Sequence, residues 1–157
     1  MRIGQGYDAH RFIENKALVL GGVTIDYPQG LLAHSDGDVL IHALADALLG
    51  ALALGDIGFH FPDNSAEFKN IDSRLLLKSV IKKIQQQGYQ VANADMTVIA
   101  QAPKLAPYIQ QMRDYLAQDC EVNINQISVK ATTTEKMGFC GRKEGIAAQA
   151  IVLLIKC

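Results

Sequence analysis

The sequence predicts an α+β fold, a single domain in which a mixed β-sheet is backed by helices. Three observations carry this expectation. Period-two alternation stands at residues 95–100 and 127–132, segments of helical period separate such strands, and a nearly continuous apolar run lies at 145–155. The chain has 157 residues, 49% hydrophobic and 20% charged, enough for one core and too few to call for two, so 1–157 is read as one unit.

Residues 3–12 alternate loosely and carry Gly4, Gly6, Asp8 and His10, which reads as a strand with functional side chains on one face. Short strands follow at 17–20 and 23–25, with turn residues at Gly21-Gly22 and Tyr27-Pro28-Gln29-Gly30. Asp36 or Asp38 can cap a helix through Leu40, Leu44, Leu48 and Leu52 to about Ala53, where Gly55 stops it. Ile41, Ala45 and Leu49 fill its remaining sides, so this helix should be buried.

Residues 73–87 set Leu76, Leu77, Val80, Ile81 and Ile84 against lysines and glutamines, an ordinary surface helix ended by Gly88. A strand at 95–100 is broken off by Pro103 and Pro107 before an amphipathic helix of Ile109, Met112 and Leu116. Residues 127–132 alternate as a strand. Residues 145–155, apolar almost throughout, predict a strand buried on both faces.

Composition narrows the partners. A net charge of -1 without runs of one sign supplies no basic field for nucleic acid, so a small molecule is the expected ligand. The apolar run at 146–155 is well short of the roughly 18 residues of a membrane helix, and no secretory leader pattern stands at the start. Cys120, Cys140 and Cys157 form no C-x-x-C pair, which suits a reducing, cytoplasmic setting.

Asp8 and His10, at i and i+2 of a strand, project from one face and can chelate one ion. Asp38, His42 and Asp46 recur every fourth residue on the apolar helix, and a buried carboxylate or imidazole demands a partner. A structural hydrogen bond from His42 to Asp38 or Asp46 would meet that demand. So would an Asp8-His10-His42 metal site with an open position, Asp46 then orienting His42 from one turn away.

The loop 32–38 holds His34 and Ser35 before a helix N-terminus, a place that favours a phosphate. Asp56 and Asp63, in a glycine- and proline-bearing loop, could orient polyol hydroxyls or simply form turns. Lys130 to Lys136 gathers three threonines, two ammonium groups and Glu135; a carboxylate among phosphate-binding groups suits a hard cation such as magnesium.

These motifs in this order resemble the cyclodiphosphate synthase family over essentially the whole chain. The matching strings are Gly6-Tyr7-Asp8-Ala9-His10, residues 31–38, residues 54–58 with Phe61-Pro62-Asp63, Ala100-Gln101-Ala102-Pro103-Lys104, and residues 129–135, followed by Gly138-Phe139 and Gly141-Arg142. Tyr7 departs from the usual Phe, and His60 matches no metal position.

The resemblance implies that Asp8, His10 and His42 bind zinc or a similar divalent ion, and that His34 with Thr133 steadies the transition state. It also implies that Asp56, Gly58, Phe61, Pro62 and Asp63 hold the methylerythritol part and that Ser35, Ile57, Asn64 and Ser65 also bind substrate. Cytosine would rest on Ala100, Gln101, Ala102, Pro103, Lys104, Leu105 and Ala106, with Thr132, Thr133 and Thr134 nearby and Glu135 holding magnesium or manganese.

Family members are homotrimers with active sites between subunits, and Phe139 and Arg142 resemble residues of a central cavity proposed to take isoprenoid diphosphates. The implied reaction converts 4-diphosphocytidyl-2-C-methyl-D-erythritol 2-phosphate to the 2,4-cyclodiphosphate with release of CMP. A zinc phosphohydrolase and a non-catalytic isoprenoid-binding trimer are the competing readings of the same residues.

Overall fold

Residues 1–62 and 71–157 are described in the computed structural model of the protein. The alternating N-terminal segment forms β1 (Arg2–Glu14), and the two short strands are β2 (Leu18–Leu20) and β3 (Val23–Ile25), paired with each other. After Tyr27 and Pro28, β4 (Gln29–Leu31) pairs antiparallel with the end of β1, where the sequence predicts only a turn. The turn residues end at Pro28, and the chain after it is drawn along the β1 edge.

The buried helix is α1 (Val39–Ala51), and a short α2 (Ile57–His60) follows in the loop after Gly55. Next come α3 (Ser73–Gln86), β5 (Tyr89–Ile99), α4 (Ile109–Cys120), β6 (Ile127–Thr132), α5 (Gly138–Gly141) and β7 (Gly145–Lys156). The five-stranded sheet runs in the order β4-β1-β7-β5-β6. Among the described residues only β5 and β6 pair in parallel, so the sheet is mixed as expected.

One face of this sheet carries the helices. Even-numbered residues of β1 point toward α1, and two of them are glycine for a steric reason: a Cβ on Gly4 would lie 1.9 Å from the Ala47 carbonyl oxygen, and one on Gly6 1.9 Å from that of Ala43. The helix therefore lies directly on the strand backbone. Leu40, Ile41, Leu44, Leu48 and Leu49 are all fully buried, as the all-round apolar helix predicts. α3 packs against α1 and α4, and the Arg74 guanidinium grips Asp119 on α4 at 2.6 and 2.9 Å, which fixes the N-terminal turn of α3.

The opposite face is open in the single chain, which corrects the expectation for β7. Its inner residues Ile146, Ala148, Ala150, Val152 and Leu154 are buried, but Gln149 and Ile151 are exposed and Leu153 and Ile155 only half-buried. An apolar run does not say what covers its second face. Ile3, Tyr7 and Ile151 stand 73%, 49% and 51% exposed on this surface.

Asp38 caps α1 and does more than a cap. Its fully buried carboxylate accepts the N–H groups of Gly21 (2.9 Å), Gly22 (2.7 Å) and Ile41 (3.0 Å), binding the β2–β3 turn to the helix start. Burial, with the nearby Asp36 charge, raises its pKa to about 6 against the pull of those three donors. Asp38→Ala would leave the buried donors without acceptors, so chemical denaturation should show a loss of about 3 kcal/mol or more. A loss within the ordinary range of a surface cap, about 1 kcal/mol, would mean that water replaces the carboxylate.

Candidate active site and metal centre

The β1–α1 contact sets the site. With Gly4 and Gly6 seating the helix, the next two side chains on the same face of β1 are Asp8 and His10, opposite the first turn of α1 and His42. Asp8 Oδ2 lies 2.9 Å from His10 Nε2 and 3.0 Å from His42 Nδ1, and the two ring nitrogens are 3.2 Å apart. A tetrahedral divalent ion with bonds of ~2.1 Å would hold its ligand atoms ~3.4 Å apart, so this donor set fits a metal with little movement. Three electron-rich atoms converging this closely also require a cation or shared protons between them.

The electrostatics agree. Burial works against the Asp8 carboxylate, but hydrogen bonds from His10 and His42 and their charge hold its pKa well below the usual range. Burial pushes His42 down, yet the hydrogen bond and charge of Asp8, with the charges of Asp38 and Asp36, leave its pKa raised. Each shift stabilises a negative oxygen beside a positive centre.

The polar stripe on α1 resolves into three separate tasks. The His42 imidazole bonds neither the Asp38 nor the Asp46 side chain among the described contacts, although its backbone N–H donates to the Asp38 carbonyl. Its Nε2 lies 3.2 Å from Ser35 Oγ and 3.1 Å from Ser73 Oγ. Asp46 does not orient His42 as expected; it accepts the Ile57 N–H at 2.8 Å and so anchors α2 to α1. The i+4 spacing brings its backbone near, but the first N–H of α2, otherwise unpaired, draws the side chain away.

A cavity of about 630 Å³ opens over this cluster, lined by Asp8, His10, His34, Ser35, Ile57, Gly58 and Phe61 among others. Leu32, Ile71 and Leu76 add apolar lining, and of these Ile71 carries no signal in the sequence. Asp56 caps α2 by accepting the Phe59 N–H at 2.8 Å and remains exposed. Pro62 is exposed at the end of the described segment, and Asp63, Asn64 and Ser65 lie outside the described residues.

The helix N-terminus expected to hold a phosphate near His34 is already occupied by the Asp38 carboxylate, and Ser35 Oγ accepts the Gly37 N–H at 3.1 Å. Any anion beside His34 must be met by the exposed loop itself. His60, outside the metal cluster, has Nε2 2.9 Å from the Leu54 carbonyl oxygen.

A second cavity of about 400 Å³ is lined by Ala100 to Ala106 with Ala131, Thr132 and Thr133. It shares no lining residue with the first. Ala9 pairs with Ala147, Ala147 with Ile99, and Ile99 with Thr132, so about three strand spacings, ~14 Å, separate the metal-bearing strand from Thr132. His34 and Thr133 therefore belong to different cavities of one chain. Thr133 Oγ lies 3.2 Å from Glu135 Oε1, Thr134 Oγ donates to the Met137 carbonyl, and Arg142 donates to Glu144 at 2.8 Å, with Phe139 exposed nearby in sequence. Glu144 carries no signal in the sequence that marks it as the partner of Arg142.

Known proteins resemble this chain along its length. A protein of Pseudoalteromonas atlantica named 2-C-methyl-D-erythritol 2,4-cyclodiphosphate synthase is 61% identical over 99% of this chain and 96% of its own. One of the same name from Vibrio vulnificus is 60% identical over 99% of each. Among solved structures, the bifunctional IspDF of Campylobacter jejuni superposes with a TM-score of 0.96 at 48% identity, covering 99% of this chain and 42% of that longer one. IspF of Plasmodium falciparum in complex with CDP gives 0.86 at 39% identity over 99% and 96%. The YgbB family model matches residues 1–155, and with that near-complete coverage, on a fold that gathers Asp8, His10 and His42 beneath one cavity, the chain belongs to the YgbB family.

Proposed function

We propose that this protein is a phosphorus-oxygen lyase that converts 4-diphosphocytidyl-2-C-methyl-D-erythritol 2-phosphate to 2-C-methyl-D-erythritol 2,4-cyclodiphosphate and CMP, in the non-mevalonate route to isoprenoid precursors. The observation that carries this reading is the Asp8-His10-His42 cluster at the base of an open cavity, in a chain about 60% identical to synthases of that name.

An oxygen of the 2-phosphate attacks the β-phosphorus, the bond from that phosphorus to the oxygen of the CMP phosphate breaks, and CMP leaves. The attacking group is a phosphate monoester with a second pKa of about 6, so near neutral pH no side chain need remove a proton. Asp8, His10 and His42 would hold zinc, and Glu135 a magnesium or manganese ion with the substrate phosphates. Bound there, such ions supply Lewis acidity at crowded phosphate oxygens. The residues of the chain fold the substrate back on itself: Ile57, Gly58 and Phe61 confine the methylerythritol part, with Asp56, Pro62, Asp63, Asn64 and Ser65 assigned beside it, and His34 and Thr133 flank the reacting phosphates.

Cytosine takes the cavity of Ala100 to Ala106, a reading supported by the CDP in the Plasmodium falciparum relative. Because that cavity and the metal cluster lie ~14 Å apart across the strands of one chain, two copies contribute to each site, and the open sheet face with Ile3, Tyr7 and Ile151 is the surface that assembles them into a homotrimer. Phe139 and Arg142 then face a central cavity suited to an isoprenoid diphosphate. The unpaired cysteines, two of them buried, suit a cytoplasmic enzyme of one domain spanning 1–157 that acts on a small molecule and not on nucleic acid or membrane.

Phosphorus NMR of the products after incubation with the linear substrate and magnesium tests the reaction. A cyclic diphosphate with CMP is expected; inorganic phosphate would favour the hydrolase, and unchanged substrate the binding protein. Light scattering should report three chains, and a fully active monomer would overturn the shared sites.

Metal binding should weaken as pH falls. The metal needs His42 neutral, and its raised pKa lets the proton compete at a higher pH than for an ordinary histidine. Competition with a chelator between pH ~8 and ~5 should show zinc affinity declining from above ~6.5. Constant affinity down to pH ~5 would show that His42 does not bind the metal.

A further inference from the structure

We propose that Asp36 and Ser73 form a relay that fixes the tautomer and orientation of His42, presenting Nδ1 to the metal. This rests on the metal reading above and assigns the positioning role that Asp46 does not fill.

The proton count is decisive. Ser73 Oγ has one hydrogen, and it lies 2.5 Å from Asp36 Oδ1, an acceptor. Asp36 also accepts the Ser73 N–H through Oδ2 at 2.9 Å and the Asp38 N–H through Oδ1 at 3.1 Å, a set of donors that only an acceptor oxygen pair satisfies. With its hydrogen spent on Asp36, Ser73 Oγ can only accept from His42 Nε2, 3.1 Å away. Ser35 Oγ, 3.2 Å from the same nitrogen, could serve either tautomer and does not decide the matter. His42 therefore carries a hydrogen on Nε2; without a metal the Asp8 carboxylate, 3.0 Å from Nδ1, favours a second hydrogen there, and a metal would take the place of that second hydrogen.

The relay is also held rigidly. Ser73 is fully buried at the first position of α3, whose start is fixed by the Arg74–Asp119 pair, and Asp36 sits in the loop leading into α1. A carboxylate, a hydroxyl and an imidazole from three segments thus meet along one line behind the metal ligand. Hydrogen-bonding groups behind a ligating histidine set its tautomer and raise its basicity.

The test compares Ser73→Ala, Asp36→Asn and the double variant with Asp72→Ala, which removes the α3 cap bonded to the Arg74 N–H without touching His42. Nitrogen-15 NMR of the metal-free protein, with His42 doubly protonated, should show an Nε2–H that exchanges slowly in the wild type and faster in Ser73→Ala. Zinc affinity, read by chelator competition, should fall about 10- to 100-fold in Ser73→Ala. Asp36→Asn should weaken zinc alone but add little on the Ser73→Ala background, because the two act in series.

Asp72→Ala should leave zinc affinity within about twofold. The relay is overturned if the wild-type Nε2–H exchanges as fast as that of Ser73→Ala, if Ser73→Ala binds zinc as the wild type does, or if Asp72→Ala weakens zinc equally. Failure of the wild type to bind one zinc per chain would instead sink the metal reading, and the Nε2–H exchange of the metal-free protein would still judge the relay.

Discussion

His42→Ala should lose its zinc and with it turnover, while His34→Ala should keep a full equivalent of zinc and lose only rate. The two histidines look alike in the sequence, each within four residues of an aspartate, but the fold separates them. His42 is buried with Nδ1 3.0 Å from Asp8 Oδ2, and both of its nitrogens have partners. His34 lines the cavity on an exposed loop and is not part of the three-residue cluster. Removing a partner behind a metal ligand typically costs 10- to 100-fold in affinity, so removing the ligand itself should exceed about 100-fold. Elemental analysis after dialysis reads the outcome directly. Equal zinc loss in both variants would place His34 among the ligands, and full retention in His42→Ala would move the metal elsewhere.

Much of this site was legible because its residues are local. Asp8 and His10 share a strand face, and the burial of α1 follows from leucine, isoleucine and alanine on every side. The metal trio needed only the inference that a buried His42 requires partners. Its wider surroundings were not legible. Ser73 reaches His42 across 31 residues of chain, and the sequence marks it only as the first residue of a surface helix. Asp46 has the right spacing to serve His42 but answers a nearer demand, the open N–H of Ile57.

The sheet's open face was misread for a related reason. An apolar run shows that a strand is apolar on both faces and not which face the chain itself covers, and in the structure Ile151 is exposed beside buried Val152.

Gly6→Ala should be among the most damaging single-methyl changes in the chain. The added Cβ would meet the α1 backbone at two points, 1.9 Å from the Ala43 carbonyl oxygen and 2.8 Å from the Ala47 nitrogen, and neither can swing away as a side chain would. To restore an ordinary contact α1 must lift from β1 by more than about 1 Å, and the leucines beneath it lose packing as it moves. Overpacking of this kind costs typically 1–3 kcal/mol and more where backbone must shift, so about 3 kcal/mol and a melting temperature lower by roughly 10 °C are expected. The same displacement carries His42, one residue before Ala43, away from Asp8, two residues after Gly6, so zinc affinity should fall with stability. Gly50→Ala provides the contrast: its Cβ would approach nothing nearer than the Gln5 carbonyl oxygen at 4.0 Å, and replacing an exposed helical glycine should stabilise by up to about 1 kcal/mol. Calorimetry and chelator competition on both variants decide the point. A Gly6→Ala protein that melts within about 2 °C of the wild type and binds zinc as tightly would show that the strand and helix are not held in contact by the missing side chain.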